Sequence, residues 1–317
     1  MRVMPLGTSS ARPTIERNVS SAVLESSAGL ILIDCGEGTQ HRLLEYGVSA
    51  YRLQAILITH LHGDHVLGLP GLLGSLSLDN RQRPLKLLGP TGLSAWVGDL
   101  CERAIIHLTY PLDVHELVDE HPEGDGTELI ACPAIGNVEV QAIRLHHRVA
   151  SFGYRLTEPT RRGAFDLDMA AQMGLPPGPL LGALERDGSV LIDGREITID
   201  QVTGPEQPGT VGVVFGDTTA CPSAAVLASH ADLVIHEATY QAEDASHAAT
   251  WLHSTSVDAA KLARNADIGI LLLTHFSSRY GSTDRLVEQA RSIFPNTWPA
   301  QEGVWVDVPN LRPPTES

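Results

Sequence analysis

The residues best equipped for chemistry occupy six consecutive positions, His60-Leu61-His62-Gly63-Asp64-His65. Imidazole nitrogen and carboxylate oxygen are donors that zinc accepts at catalytic centres. A single His is ordinarily a packed core or surface residue. Three of them with an Asp, directly after an apolar run, read as a metal site. An extended start places residues 60, 62 and 64 on one side, and Gly63 permits a tight turn that brings His65 round to them. A second ion needs donors from elsewhere in the chain. Asp217 and His275, which both end apolar runs, are candidates, and one of His146 and His147 is a third. Two ions about 3.5–4 Å apart suit phosphodiester cleavage, because attacking and leaving oxygens are both stabilised. One carboxylate commonly bridges such a pair, and Asp217 is the natural choice.

These side chains must be held by rigid elements. Short apolar runs end abruptly in a polar residue at five places: GLILIDCG at Asp34, QAILITH at His60, TVGVVFGD at Asp217, ADLVIHEAT at Glu237 and GILLLTHF at His275. Runs of this length, bounded by Gly or polar residues, predict buried strands. Polar groups at strand carboxyl ends line the active edge of many α/β sheets. Helical patterns lie between the strands, at Thr39–Tyr46, Gly71–Leu78, Thr91–Leu100, Ser223–Ser229, Val257–Asn265 and Thr283–Ile293, with Ser256 and Thr283 as expected N-caps. The alternation is that of an α/β fold. The habit of strand then ligand recurs in both halves of the chain and hints at an internal duplication, although no repeat aligns. The Gly- and Pro-rich stretch from Glu158 to about Pro208 breaks the pattern and reads as an inserted arm (158–208) within one domain spanning 1–317. Asn310–Ser317 reads as a frayed tail.

Composition sets outer bounds. At 317 residues and 43% hydrophobic content the chain can bury a large core, and its 5% aromatic content makes that core mainly aliphatic. No apolar run is long enough to span a membrane, and the N-terminus lacks the apolar stretch of a secretory signal. Four cysteines without CxxC spacing fit a reduced, cytoplasmic compartment. The net charge of −16 argues mildly against nucleic-acid binding, although bound cations can reverse a bulk charge locally.

HxHxDH with downstream His, Asp and His resembles the metallo-β-lactamase superfamily. Within it the chain is similar to the ribonuclease Z family, on segments that run almost end to end: LGTSSARPTIERNVSS, DCGEGTQ, ITHLHGDHVLGLPGLL, HLTYPL, HHRVASFGYRL, GLPPGPL, FGDT, HEATY, HSTSVDAA and LLTHFSSRY. The resemblance implies a four-layer αββα sandwich with a protruding exosite arm. It implies an endoribonuclease that removes the 3′ trailer of tRNA precursors, leaving a 3′-hydroxyl on the tRNA and a 5′-phosphate on the trailer. It also implies two Zn2+ per subunit, with Mn2+ or Co2+ as substitutes, and a homodimer.

Carried over by motif, one ion takes His60, His62, His147 and Asp217, and the other takes Asp64, His65, Asp217 and His275. His147 is preferred to His146 because the family's ligand stands five residues before the Phe of FGY, here Phe152. Asp64 would orient the attacking water and accept its proton. Glu237 of HEATY and His253 of HST would together supply the proton for the leaving oxygen. Asp34 would fix a ligating His through its second ring nitrogen, and His236 reads as structural. Candidate phosphate contacts are Arg12, Arg17, Arg279, Arg161 and Arg162. The chain departs from the family in the arm, where LGALERDGSVLIDGRE replaces a Lys-rich segment, and at Thr219, where an Arg is usual. The competing readings are a superfamily hydrolase of small phosphodiesters, sulfate esters or lactones, favoured by the acidic charge, and a non-catalytic RNA-binding module, which requires a missing ligand.

Overall fold

Two seven-stranded sheets organise the protein, as seen in a computed structural model that describes residues 1–118, 121 and 125–309. The expected frayed tail, Asn310–Ser317, lies outside the described residues. The first sheet contains β1 (Arg2–Gly7), β2 (Ser21–Ser26), β3 (Gly29–Ile33), β4 (Leu53–Leu57), β5 (Leu85–Pro90) and β6 (Leu112–Leu117). The second contains β7 (Ile130–Ile135), β8 (Val138–Leu145) and β9 (Ser151–Thr157). After a hairpin of β10 (Ser189–Ile192) and β11 (Arg195–Thr198), it resumes with β12 (Val211–Val214), β13 (Leu233–Glu237), β14 (Ile270–Thr274) and β15 (Thr297–Pro299). The short β16 (Val306–Asp307) returns to pair with β1. Each sheet begins with antiparallel pairs and ends with three parallel ones.

Strand alternation builds the layers. Ile31 and Ile33 of β3 face inward, where they share a core with Val140, Phe152, Tyr154, Leu233 and Leu272 of the other sheet. Leu30 and Leu32 point the opposite way, onto Leu43 of α1 (Thr39–Glu45) and onto Leu69, Leu72, Leu73 and Leu76 of a helix at Leu69–Leu78. On the second sheet, Val234, Leu271 and Leu273 face helices at Pro222–Ala228, Ser256–Asn265 and Asp284–Arg291. Helix, sheet, sheet and helix therefore stack as the expected αββα sandwich. Burying a Leu or Ile side chain contributes roughly 1.5–3 kcal/mol, and three such layers of contact make the strand ends rigid platforms.

Three details differ from expectation. The cap of the helix at Ser256–Asn265 is Thr255, not Ser256. Its hydroxyl and the Asp258 carboxylate satisfy each other's backbone N–H in a capping box. Thr283 does stand at the N-cap of the last helix, but its side chain makes no cap bond. The Ser282 hydroxyl accepts from Asp284 N at 3.0 Å instead. The extended stretch ends at His62 and does not reach Asp64, because Gly63 begins a single helical turn, Gly63–Val66, that carries both Asp64 and His65.

Compact units divide the chain into Met1–Glu158 with Thr210–Pro309, and Pro159–Gly209. The second unit has more order than its composition suggests. It contains helices at Leu167–Gln172 and Pro179–Asp187, the β10–β11 hairpin, and a small core of Ala170, Leu175, Leu184, Ile197, Ile199 and Val202.

Candidate metal centre

Parallel pairing explains why distant residues meet. β3 and β4 run parallel, as do β12, β13 and β14, so their carboxyl ends fall together at one edge of each sheet. Asp34 follows β3, His60 follows β4, Asp217 follows β12, Glu237 ends β13 and His275 follows β14. Asp34 and His275 both adopt positive φ, at 54° and 57°. Left-handed backbone is uncommon outside Gly, and here it turns each chain sharply off its strand. Close backbone approach holds the DCGEG segment under the metal-binding turn. A Cβ on Gly36 would stand 2.3 Å from the Asp64 carbonyl oxygen, and one on Gly68 would stand 2.1 Å from that of Gly36.

Two donor sets converge: His60, His62, His147 and Asp217, and Asp64, His65 and His275. Asp217 lies between them. Its Oδ2 stands 3.6 Å from His60 Nε2 and 4.0 Å from His147 Nε2, while its Oδ1 stands 3.5 Å from His65 Nε2 and 3.4 Å from His275 Nε2. Asp64 Oδ2 lies 3.4 Å from His275 Nε2 and accepts from the N–H of Ala11 at 2.8 Å. A third grouping joins Asp217 and His275 to His253.

The outward-facing ring nitrogens decide whether this donor set fits cations. His65 Nδ1 donates to Asp34 at 2.7 Å, His147 Nδ1 to the Leu252 carbonyl at 2.8 Å, His60 Nδ1 to the Thr59 hydroxyl at 3.1 Å and His275 Nδ1 to the Thr239 hydroxyl at 2.9 Å. With those nitrogens carrying the protons, the Nε2 lone pairs point inward. His65 and His275 Nε2 face each other at 3.3 Å, and His62 Nδ1 faces His60 and His147 Nε2 at 3.1 and 3.4 Å. Converging lone pairs backed by fixed tautomers suit a pair of divalent cations.

Charge follows the same plan. Burial, then the neighbouring His65 and His147 rings, push His60 well below its usual value of 6.5, and burial likewise lowers His62 and His147. Burial also opposes charge on His65, but the Asp217 and Asp34 carboxylates outweigh it and raise that ring to about 10. A divalent cation competes with this proton for the same nitrogen, so binding releases it. Burial opposes ionisation of Asp64 too, yet the close approach of the His275 ring and the charge of His65 hold it below the usual carboxylate range.

Buried Glu237 and partly buried His253 form a separate pair, Oε1 to Nδ1 at 2.8 Å. Burial alone would lower His253, and the Glu237 and Asp217 carboxylates instead raise it to about 9. Glu237 also accepts from the backbone N–H groups of Thr218 and Thr239, each at 3.1 Å, and from the Thr239 hydroxyl at 2.6 Å. His253 borders an open cleft of about 390 Å³ that is also lined by His62, Asp64, His147, Asp217 and His275. A protonated imidazole beside a cleft lined by candidate cation donors can donate to a leaving oxygen.

Other residues singled out in the sequence fall elsewhere. His146 contributes its carbonyl, which accepts from Thr219 N at 3.0 Å, and His147 carries the inward ring. His236 alternates to the helix side of β13 against Phe215, with its Nδ1 on the Glu237 carbonyl at 2.7 Å. Arg17 donates to the carbonyls of Ser277 and Tyr280 and braces that loop. Arg12 reaches the Ser278 hydroxyl, and Arg279 pairs with Asp244 and stacks over Tyr240. Arg161 and Arg162 lie on the surface of the second unit, Arg162 beside Asp200. Thr59, Thr239, Leu252 and Trp251 went unnoticed in the sequence. The two Thr residues stand beside motif carboxylates or histidines, but only the folded strands bring their hydroxyls to the rings.

The fold and site can be set beside known proteins. A family model described as "Anti-Pycsar protein Apyc1" matches residues 1–156. A ribonuclease Z of Synechococcus sp. (strain CC9311) is 41% identical over 97% of this chain and 99% of its own length. The chain belongs to the ribonuclease Z family. Another member, ribonuclease Z of Bacillus cereus (strain B4264), is 40% identical over 94% of this chain and 96% of its own. Among solved structures, human tRNase Z, short form, superposes with a TM-score of 0.73 at 28% identity, covering 98% of this chain and all of that one. The Bacillus subtilis metallo-β-lactamase fold protein YhfI superposes at 0.67 and 19% identity over 96% of this chain and 98% of its own, a likeness of fold alone.

Proposed function

We propose that this chain is a metal-dependent endoribonuclease that removes the 3′ trailer of precursor tRNA. The observation that carries the reading is the Glu237–His253 pair, 2.8 Å apart, facing the Asp217 carboxylate between two cation donor sets. The substrate class is taken from the ribonuclease Z relatives, which match nearly the whole chain. When bound, a pair of Zn2+ ions, with Mn2+ or Co2+ as substitutes, supplies a water of lowered pKa and offsets charge on the phosphate. His60, His62, His147 and Asp217 would hold one ion, and Asp64, His65, Asp217 and His275 the other.

The chain's own groups do the rest. Asp34 holds the His65 ring in the tautomer that presents Nε2. Asp64 orients the attacking water and accepts its proton. His253, kept protonated by Glu237, donates to the departing 3′ oxygen, so the tRNA leaves with a 3′-hydroxyl and the trailer with a 5′-phosphate. The inserted unit serves as an exosite for the tRNA body, and the working form is a homodimer in the cytoplasm. Among the described residues no helix is long and apolar enough to cross a membrane.

The test is cleavage-site mapping on a defined precursor, with end-group chemistry of both products and metal content measured on the same preparation. A chromogenic phosphodiester is assayed alongside, with and without chelator. Hydrolysis of the small ester without cleavage of the precursor would favour the small-substrate reading, which the net charge of −16 supports.

A further inference from the structure

Trp251 stands at the mouth of the cleft. Its side chain is 46% exposed, and among the described residues it is the one aromatic lining side chain that is not a His. Arg148, also on the cleft wall, places its guanidinium 4.8 Å from the Trp251 ring centroid. Both side chains are tied by short covalent spans to the reacting groups. Arg148 follows His147, and Trp251 precedes His253 by two residues.

The intervening residue fixes their relation. Trp251 ends the helix Ala245–Trp251, and Leu252 then takes a left-handed conformation with φ 54°. That single turn aims the Leu252 carbonyl at His147 Nδ1, 2.8 Å away. It also lets His253 N–H bond back to the Ala248 carbonyl at 2.9 Å, with the His253 ring on Glu237. The indole is thus held in register with a ligand candidate and with the proton donor. A large apolar ring kept half in water on a rigid turn, beside a cation, presents a face for stacking. Unpaired RNA bases are bound in this way, on aromatic rings and guanidinium planes.

We infer that Trp251 and Arg148 form a stacking subsite for the nucleobase next to the scissile phosphate, with Arg148 also placed to meet a flanking phosphate. The inference rests on the RNA-cleaving function proposed above. It assigns the subsite to an unpaired base, because stacking of this kind tolerates any of the four.

The experiment measures single-turnover cleavage of one precursor tRNA in three forms. One is intact, one is abasic at the nucleotide before the cut, and one is abasic at the nucleotide after it. Each form is cleaved by wild type, Trp251→Leu and Trp251→Phe, with metal content measured for every protein. Stacking predicts that Trp251→Leu lowers kcat/KM on the intact precursor by about 5- to 150-fold, and that Trp251→Phe restores most of it. Wild type should lose a similar factor on one of the abasic precursors, and on that substrate Trp251→Leu should cost nothing more. If Trp251→Leu cleaves the intact precursor at the wild-type rate, the subsite is refuted. It is equally refuted if the loss persists undiminished on both abasic precursors, or if the loss tracks metal content. Failure of wild type to cleave the intact precursor would overturn the proposed function instead.

Discussion

Replacing Asp34 tests whether the tautomer of His65 is set from outside the donor set. Asp34 is 5% exposed and accepts three hydrogen bonds: Thr59 N–H at 2.7 Å on Oδ1, and the Thr59 hydroxyl at 2.9 Å and His65 Nδ1 at 2.7 Å on Oδ2. Asp34→Asn keeps the shape and tolerates the positive φ, but its amide must face one of these donors. With the amide nitrogen toward Thr59 N–H, two donors collide in a buried site. With it toward His65, Nδ1 must accept, and the proton moves to Nε2, the atom that faces the other ligands. Loss of such an outer partner costs roughly 10- to 100-fold in metal affinity, or about 1.4–2.7 kcal/mol. Asp34→Ala should lose as much affinity and also destabilise the metal-free fold. Ala in left-handed backbone costs about 1–2 kcal/mol, and the orphaned Thr59 N–H about 1–3 kcal/mol. Competition with a chromophoric chelator gives the affinities, and thermal unfolding of metal-free protein gives the stabilities. An Asp34→Asn protein that binds two ions within about twofold of wild-type affinity would refute the reasoning.

Three further perturbations separate the remaining roles. His253→Ala should retain both ions and lose about 10²- to 10⁴-fold in turnover; loss of an ion would make His253 a ligand, and normal turnover would remove it from the mechanism. Asp217→Ala should lose metal from both positions, because its two oxygens face opposite donor sets, and elemental analysis showing two ions per chain would exclude a bridging role. Binding of precursor tRNA by the inactive His253→Ala protein should weaken steeply with salt, log K falling with log salt by roughly 0.7–0.9 per neutralised phosphate, and a flat response would exclude Arg12, Arg279, Arg161 and Arg162 as phosphate contacts.

The alternation of strands and helices and the polar strand ends were legible in the sequence from local pattern, whereas the αββα layering came from the family resemblance. Five apolar runs ending at Asp34, His60, Asp217, Glu237 and His275 announce strands whose ends carry chemistry, and parallel pairing does the rest. What stayed hidden depends on partners far apart in the chain. The family spacing before Phe152 picks His147 over His146, but not the carbonyl of Leu252, 105 residues later, that orients its ring. Thr255 and Ser256 are equally good caps by composition, and the reply from Asp258 decides between them. Arg17 looks like a phosphate contact until the Ser277 and Tyr280 carbonyls are found around its guanidinium. In the arm, frequent Gly and Pro concealed a small apolar core, since its six buried residues come from two helices, a hairpin and short turns rather than from one periodic run.

The recurrence of strand then ligand in both halves has a counterpart in the hydrogen bonds. Asp34 holds His65 directly, and through the Thr59 hydroxyl it orders His60. Glu237 holds His253 directly, and through the Thr239 hydroxyl it orders His275. In each case the hydroxyl donates to the carboxylate and accepts from the ring, so one buried charge sets two imidazoles. The two halves differ in what the direct partner faces. His65 turns its free nitrogen inward among the other ligands, whereas His253 meets the carboxylates through the nitrogen already bound to Glu237, and its ring borders the open cleft. The same local device would thus serve a metal ligand in one sheet and, under the proposed function, a proton donor in the other. It also concentrates four carboxylates, Asp34, Asp64, Asp217 and Glu237, within one site of an already acidic protein. Two divalent cations would match that charge of −4, which is why a net charge of −16 describes the whole chain and not the surface that meets a phosphate.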